Sequence, residues 1–279
     1  MELTFTIILV VIILAFACEY MDSTLGMGYG TTLTPVFMLM GFKVAEIVPV
    51  ILVSELCTGL LAGICHHAEG NVNFKPNNNG FLRIHEIIHP VKYFSTLRNS
   101  LPMHLKIAML FGVCSAVGAV AAVFVAVSIP KFWLKMYIGV LVLSMGVLIL
   151  IFFNRTLKFS FAKVTAMGLL ASFNKGISGG GYGPVVTAGQ VLSGVEGKSA
   201  VGITSLAESI TCFVGVIMYL LIGKEVSWRL APWIILGAVL SVPLSAKSVK
   251  FISERKLKLA IAIVTILLGC FTIYKTLNG

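Results

Sequence analysis

The residues His85, Glu86 and His89 form the pattern HExxH, which is typical of zinc metalloproteases. On a helix this spacing places two imidazoles on one face with a general base between them. Here Pro90 follows at once, and no third ligand follows at a recognisable spacing. A membrane metalloprotease is therefore the weaker alternative, and the sequence predicts neither a catalytic residue nor a metal site.

Two glycine-rich segments, 26–30 and 178–184, predict places where a helix is broken. Glycine at this density interrupts a helix, and the prolines that follow are expected to start a new one. A half-helix that starts after the break presents unpaired N–H groups and a partial positive charge, which suit an anion. The competing explanation is close helix packing, because both segments also contain GxxxG pairs. The predicted substrate-binding residues are Gly26, Gly28, Gly30, Thr31, Thr34, Gly179, Gly180, Gly181, Gly183 and Thr187.

Four charged residues lie in or beside apolar stretches: Asp22, Glu55, Lys175 and Glu208. A carboxylate within a membrane is costly unless it is protonated, paired or facing water. Glu55 and Glu208 are therefore proton carriers, pore-lining groups, or protonated caps that bond to unwound backbone. Asp22 and Lys175 correspond under the repeat and could neutralise each other. Lys175 could instead attract the substrate, or the two could be unconnected residues at helix ends.

The composition places these residues in a membrane. The 279 residues are 58% hydrophobic and 11% charged, well below the charged fraction of soluble domains. Ten apolar segments are predicted, and all six cysteines are expected to be free thiols that act as small hydrophobes. The net charge of +10 lies in short loops and forms no basic face, so no nucleic-acid partner is expected. The segments are 3–21, 26–41, 44–65, 104–127, 132–153, 160–175, 178–194, 199–222, 230–249 and 257–277.

An internal repeat divides the chain into two halves. When the sequence is shifted by 153 residues, ten of the 33 positions from 26 to 58 are identical, against two or three expected by chance at roughly this composition. The halves are 1–155 and 156–279, with five segments each and a polar insertion at 68–103. Glu55 and Glu208 are equivalent under this shift. The sequence thus predicts a single all-α transmembrane domain of two repeats, in which segments two and seven are broken.

The loop charges predict the orientation. If all ten segments cross, one side of the membrane holds 14 of the 21 Lys and Arg residues, including those of 68–103 and 247–258, and positive charge marks the cytoplasmic side. If segments two and seven instead re-enter without crossing, the count is 11 against 10 and the 247–258 loop lies outside, so the charges favour ten crossings. Five crossings per half is an odd number, so the repeats are predicted to be inverted relative to each other. Both termini then face outward, and a multi-pass protein of the cell membrane is expected.

The glycine segments resemble those of the TauE/SafE sulfite-exporter family of permeases. The run at 178–184 is the most similar part, and the first half is more degenerate, with Met27 between the glycines. The resemblance implies an integral permease, not an enzyme, that moves sulfite or a related anion such as a sulfonate or thiosulfate without a cofactor. Together with the repeat, it predicts alternating access in a secondary transporter, with protons as a possible coupling ion. An anion channel of the same fold is the alternative.

Overall fold

The computed structural model describes residues 4–42, 44–75, 101–126, 131–154, 158–178, 182–221 and 228–278. These residues form ten α-helices and no strand, so the predicted all-α fold is confirmed. The helices are α1 (Phe5–Leu25), α2 (Tyr29–Leu39), α3 (Val44–Ala68), α4 (Met103–Ala126), α5 (Lys131–Ile151), α6 (Phe161–Ser178), α7 (Tyr182–Leu192), α8 (Gly197–Leu221), α9 (Ala231–Phe251) and α10 (Glu254–Asn278).

Five of these helices, α1, α3, α8, α9 and α10, contain stretches long and apolar enough to cross a membrane. Many large apolar side chains, such as Ile64, Leu221 and Phe251, are exposed on the helix surfaces, as lipid-facing residues are. By contrast, α2 and α7 have only 11 residues each. Such a helix rises about 17 Å, roughly half of the hydrocarbon core. Neither helix alone spans the bilayer.

The bounds of the helices follow the repeat. The shift of 153 residues carries Tyr29–Leu39 onto Tyr182–Leu192, and it carries Val44–Ala68 onto Gly197–Leu221. It also carries the end of α1 onto the end of α6. Each half therefore contains a long helix, a helix of 11 residues and a helix of 25 residues in this order.

The equivalent helices α3 and α8 pack against each other in an antiparallel pair. Near the end of α3, a Cβ on Gly63 would touch Leu206, and one on Gly59 would lie 2.6 Å from Ser205 O. Nearer the start of α3, Leu52 contacts Gly215. The residue numbers rise along one helix as they fall along the other. The fifth helices of the two halves, α5 and α10, behave likewise, since Gly146 meets Ile266 and Gly139 meets Ile273.

The prediction that prolines start the half-helices is wrong for Pro35. Helix α2 starts at Tyr29, so Pro35 lies in its interior, whereas Pro184 lies in the first turn of α7. The physical reason is that Gly26 and Gly28 break the chain upstream, with φ values of 71° and 120° that side chains rarely adopt. The HExxH pattern at 85–89 lies outside the described residues.

Candidate functional site between the broken helices

The break between α1 and α2 is closed by hydrogen bonds to one aspartate. The Gly26 N–H donates to Asp22 O at 2.6 Å and ends α1 in a left-handed residue. The Tyr29 N–H, at the start of α2, donates to Asp22 Oδ1 at 3.2 Å. Asp22 therefore caps α2, and its carboxylate lies where an anion would otherwise meet the N-terminus of that helix.

The two predicted glycine segments meet in the structure. A Cβ on Gly183 would lie 2.7 Å from Gly26 O and 2.9 Å from Met27 Cα. A larger residue would clash at this position, so the contact requires glycine. Met27 is fully buried there, and its Sδ lies 3.3 Å from the Thr265 hydroxyl of α10. Close approach of backbone to backbone thus brings the first turn of α7 against the break that follows α1.

A chain of hydrogen bonds from side chains of α7 and α8 stabilises this junction. Gln190 Nε2 donates to Thr204 Oγ1 at 2.8 Å, and the hydroxyls of Thr204 and Thr187 lie 3.0 Å apart. Thr187 Oγ1 in turn donates to Gly26 O at 2.8 Å. Because a hydroxyl has one hydrogen, that of Thr187 serves Gly26 and that of Thr204 serves Thr187. In this arrangement Thr187 clamps the break and has no hydrogen to offer an anion.

Four buried carboxyl groups on α1, α3 and α8 lie near one another. Glu19 is 2% exposed, Glu55 is 7%, and Asp22 and Glu208 are 8%. Glu55 Oε2 accepts a hydrogen bond from Cys212 Sγ at 3.1 Å, and its Oε1 lies 3.2 Å from the position that a Cβ on Gly30 would take. Among the side chains that the structure describes, no Lys or Arg is buried. The centre of the protein is consequently acidic and hydroxyl-rich.

Tyr29, the first residue of α2, ties this helix to the acidic region. Its hydroxyl is 2.7 Å from Ser54 Oγ in the middle of α3. Ser54 lies next to Glu55 and one turn before Thr58, whose hydroxyl donates to Ser54 O at 3.0 Å. A side-chain hydrogen bond also joins Thr58 to Glu19. Helices α1, α2 and α3 are therefore connected through polar side chains at one level.

The structure places several predicted site residues together and leaves others untested. Gly26, Gly183 and Thr187 meet at the junction, Gly30 faces Glu55, and Asp22 caps α2. Thr34 is half-buried in α2, and no described contact links it to the junction. Three of the glycines and two side chains lie outside the described structure: Gly179, Gly180, Gly181 and the side chains of Thr31 and Lys175.

Sequence reasoning missed Glu19 and Gln190. Gln190 is the only glutamine of the chain, and it stands within the short apolar segment that becomes α7. Glu19 precedes Asp22 by one helical turn, which places both acids on the same buried face of α1. An isolated polar residue in an apolar segment is a signal that identifies such positions without a repeat.

A second polar region lies apart from the junction, where α5, α7 and α10 end or begin. A cleft of about 480 Å³ there is lined by residues of both signs, including Glu196 and Arg255. Its charges balance, so it does not select anions by net charge. In the described part of the chain no group of three or more His, Cys, Asp or Glu side chains is arranged to hold a metal ion.

These features define a polytopic helical membrane protein with a buried polar centre beside the break that follows α1. The family described as sulfite exporter TauE/SafE matches residues 90–272, which is more than half of the chain. The protein belongs to this family of membrane transporters, and the predicted resemblance is confirmed. The matched range contains the second glycine segment and begins beyond the first. Neither a curated relative nor a solved structure matches the chain.

Proposed function

We propose that this protein is a secondary permease of the cell membrane that moves sulfite or a related small sulfur-containing oxyanion by alternating access. The observation that carries the proposal is the contact between the two glycine segments, where Gly183 packs on Gly26 and Met27. Irregular backbone at membrane depth is tolerated where it is buried in protein or lines a cavity. Paired interrupted helices in two related halves are typical of transporter binding sites.

The anion binds at the N-terminus of α7. The equivalent N-terminus, that of α2, is capped by the carboxylate of Asp22, which repels an anion. At the equivalent position in the second half the sequence has Lys175, so that half supplies a cation where the first supplies an acid. The glycines at 179–181 have no side chains that would keep an oxyanion from the backbone N–H groups ahead of α7. The asymmetry between Asp22 and Lys175 supports one anion site rather than two.

The halves 1–155 and 156–279 move as inverted repeats around this site. The antiparallel contacts of α3 with α8 and of α5 with α10 support this, because a twofold axis in the membrane plane reverses each helix onto its equivalent. The contacts of the first and fourth helices of each half support it as well: α1 packs on α9 and α4 packs on α6, which the same axis exchanges. Rocking of such halves exposes a central site to one side at a time.

Anion flux in proteoliposomes tests the proposal. Purified protein is reconstituted and loaded with radiolabelled sulfite, thiosulfate, sulfate or a sulfonate, after a thermal-shift screen has ranked these anions as ligands. We expect saturable exchange of at least one sulfur-containing oxyanion. Flux that does not saturate, at rates far above those of transporters, indicates an anion channel instead. Protein that moves none of these anions overturns the proposal.

The variant Gly181→Leu tests the position of the site. A bulky side chain there blocks backbone contact with the anion, so we expect flux and ligand-induced thermal stabilisation to be lost while the protein still inserts. Ala166→Leu is the matched control, because it adds a similar volume at an exposed position of α6. Flux through Gly181→Leu equal to that of Ala166→Leu contradicts the site. Failure of Gly181→Leu alone to fold indicates that the glycines serve helix packing.

A further inference from the structure

Glu19 differs from the other buried acids in the contacts of its carboxyl group. Within the described structure Glu19 Oε2 has no hydrogen-bond partner, although the side chain is only 2% exposed. Asp22 and Glu55, by contrast, accept hydrogen bonds from Tyr29 N–H and Cys212 Sγ. A buried carboxylate oxygen with no donor is costly, and a proton is the smallest ligand that removes the charge.

The surroundings of Glu19 contain acids and no described cation. Asp22 and Cys18 on α1, Glu55 on α3 and Glu208 on α8 are all close enough to interact with it electrostatically, as is Tyr29 on α2. The buried faces of α9 and α10, which also pack on α1, hold no charged residue. Acidic side chains from three helices therefore lie around Glu19.

The Thr58 hydroxyl links the protonation of Glu19 to the packing of α3. It has one hydrogen, which it donates to Ser54 O at 3.0 Å, and it also bonds to Glu19. That hydrogen can lie on Ser54 O, which leaves the hydroxyl oxygen free to accept from a protonated Glu19, or it can turn to an ionised Glu19 carboxylate. Loss of the proton from Glu19 can therefore move the Thr58 hydrogen from Ser54 to the carboxylate. Ser54 holds Tyr29 at the start of α2, next to the proposed anion site.

The second half shows that this position does not need an acid. The repeat places Ser172 at the position of Glu19 and Thr211 at that of Thr58. There the bridging hydroxyl of Ser115 lies 3.2 Å from Ser172 Oγ and 2.7 Å from Thr211 Oγ1. Neutral hydroxyls therefore join the equivalent helices in that half. An acid in the first half adds a group that can exchange a proton.

From these contacts we infer that Glu19 binds the proton that moves together with the anion, an inference that rests on the proposed function. The carboxylate takes up one proton from the side that is open and becomes a carboxylic acid whose O–H bonds to Thr58. It releases the proton after the halves have exposed the site to the other side. Glu55 and Glu208 keep structural hydrogen-bonding roles in this scheme.

The first experiment measures anion flux with and without an imposed pH gradient. Glu19→Gln preserves shape and hydrogen bonding but cannot ionise, so we expect it to keep anion exchange and to lose the response to the gradient. Glu55→Gln, Glu208→Gln and the equivalent-position control Ser172→Ala are expected to retain the response. A wild-type response in Glu19→Gln overturns the inference. If Glu19→Gln does not insert, Glu19→Ser replaces it, because serine is the residue at the equivalent position of the second half and cannot ionise; a wild-type response to the gradient in that variant overturns the inference equally.

The second experiment detects the proton without transport. Infrared difference spectra of the detergent-solubilised protein between acidic and alkaline pH report carboxylic-acid carbonyl bands. We expect one titrating band to be absent from Glu19→Gln and present in Ser172→Ala. Identical carbonyl bands in wild type and Glu19→Gln overturn the inference. If the wild type exchanges no anion, the proposed function fails, and the infrared comparison still decides whether Glu19 binds a proton.

Discussion

Replacing Thr187 by valine removes the clamp on the break between α1 and α2 while keeping the shape of the side chain. Thr187 is fully buried, so no water replaces the bond to Gly26 O. A buried carbonyl left without a partner costs about 1–3 kcal/mol. The hydroxyl of Thr204 also loses its acceptor, and we take about 2 kcal/mol for the whole change.

A loss of about 2 kcal/mol lowers the melting temperature by about 4–8 °C in a protein of this size. The assay is thermal unfolding of the detergent-solubilised protein, followed by the fluorescence of a thiol-reactive dye or of tryptophan. Thr272→Val is the matched control, because the Thr272 hydroxyl bonds only to Leu268 O of its own helix. We expect that control to change the melting temperature by less than a third as much.

A double-mutant cycle separates the hydrogen-bond chain from local packing. Thr204→Val breaks the same chain one bond earlier, since Thr204 accepts from Gln190. Residues in one network give non-additive changes, so the double variant should be less destabilised than the two single changes together. Additive losses, or a Thr187→Val shift equal to that of Thr272→Val, would refute the reasoning that the clamp holds the break.

Two further predictions concern the polar ends of the helices. Lys250 Nζ lies 2.8 Å from Glu69 Oε2, and this hydrogen bond holds the pKa of Glu69 below its ordinary value of 4.5. The stabilisation is present above that value and lost as pH falls through the lowered pKa, so Lys250→Gln should cause a small drop in melting temperature at neutral pH that disappears in acid and in high salt. An equal drop at every pH would contradict the ion pair. For topology, Asn78→Cys on a Cys-free background should react with a membrane-impermeant maleimide only after cells are permeabilised. Labelling of intact cells would show that the predicted orientation is wrong.

The helices could be predicted because each is an apolar run bounded by polar or glycine residues. The repeat even anticipates their lengths, since the shift of 153 residues maps α2 on α7 and α3 on α8 residue for residue. The junction could be predicted only as a pair of breaks. That Gly183 packs directly on Gly26 depends on the packing of four helices, which no local pattern in the sequence contains.

The roles of single polar residues were harder to predict. Thr187 was expected to hold the anion, yet its hydrogen satisfies Gly26 O. A hydroxyl has only one hydrogen, and the sequence does not say which acceptor is nearest. Glu19 was overlooked because the repeat draws attention to identical pairs such as Glu55 and Glu208. A residue that breaks the symmetry, with Ser172 as its equivalent, is invisible to a search for identities.

The acidic centre and an anionic substrate impose a condition on each other. Every ionised acid near the junction opposes the binding of an anion, and the described residues supply no buried cation to offset it. A proton on Glu19 removes one of these negative charges, so it strengthens anion binding by some factor. Linkage requires that the anion strengthen proton binding by the same factor. In the proposed mechanism proton and anion then occupy the site together, and coupling follows from the charge of the site without any contact between Glu19 and the substrate.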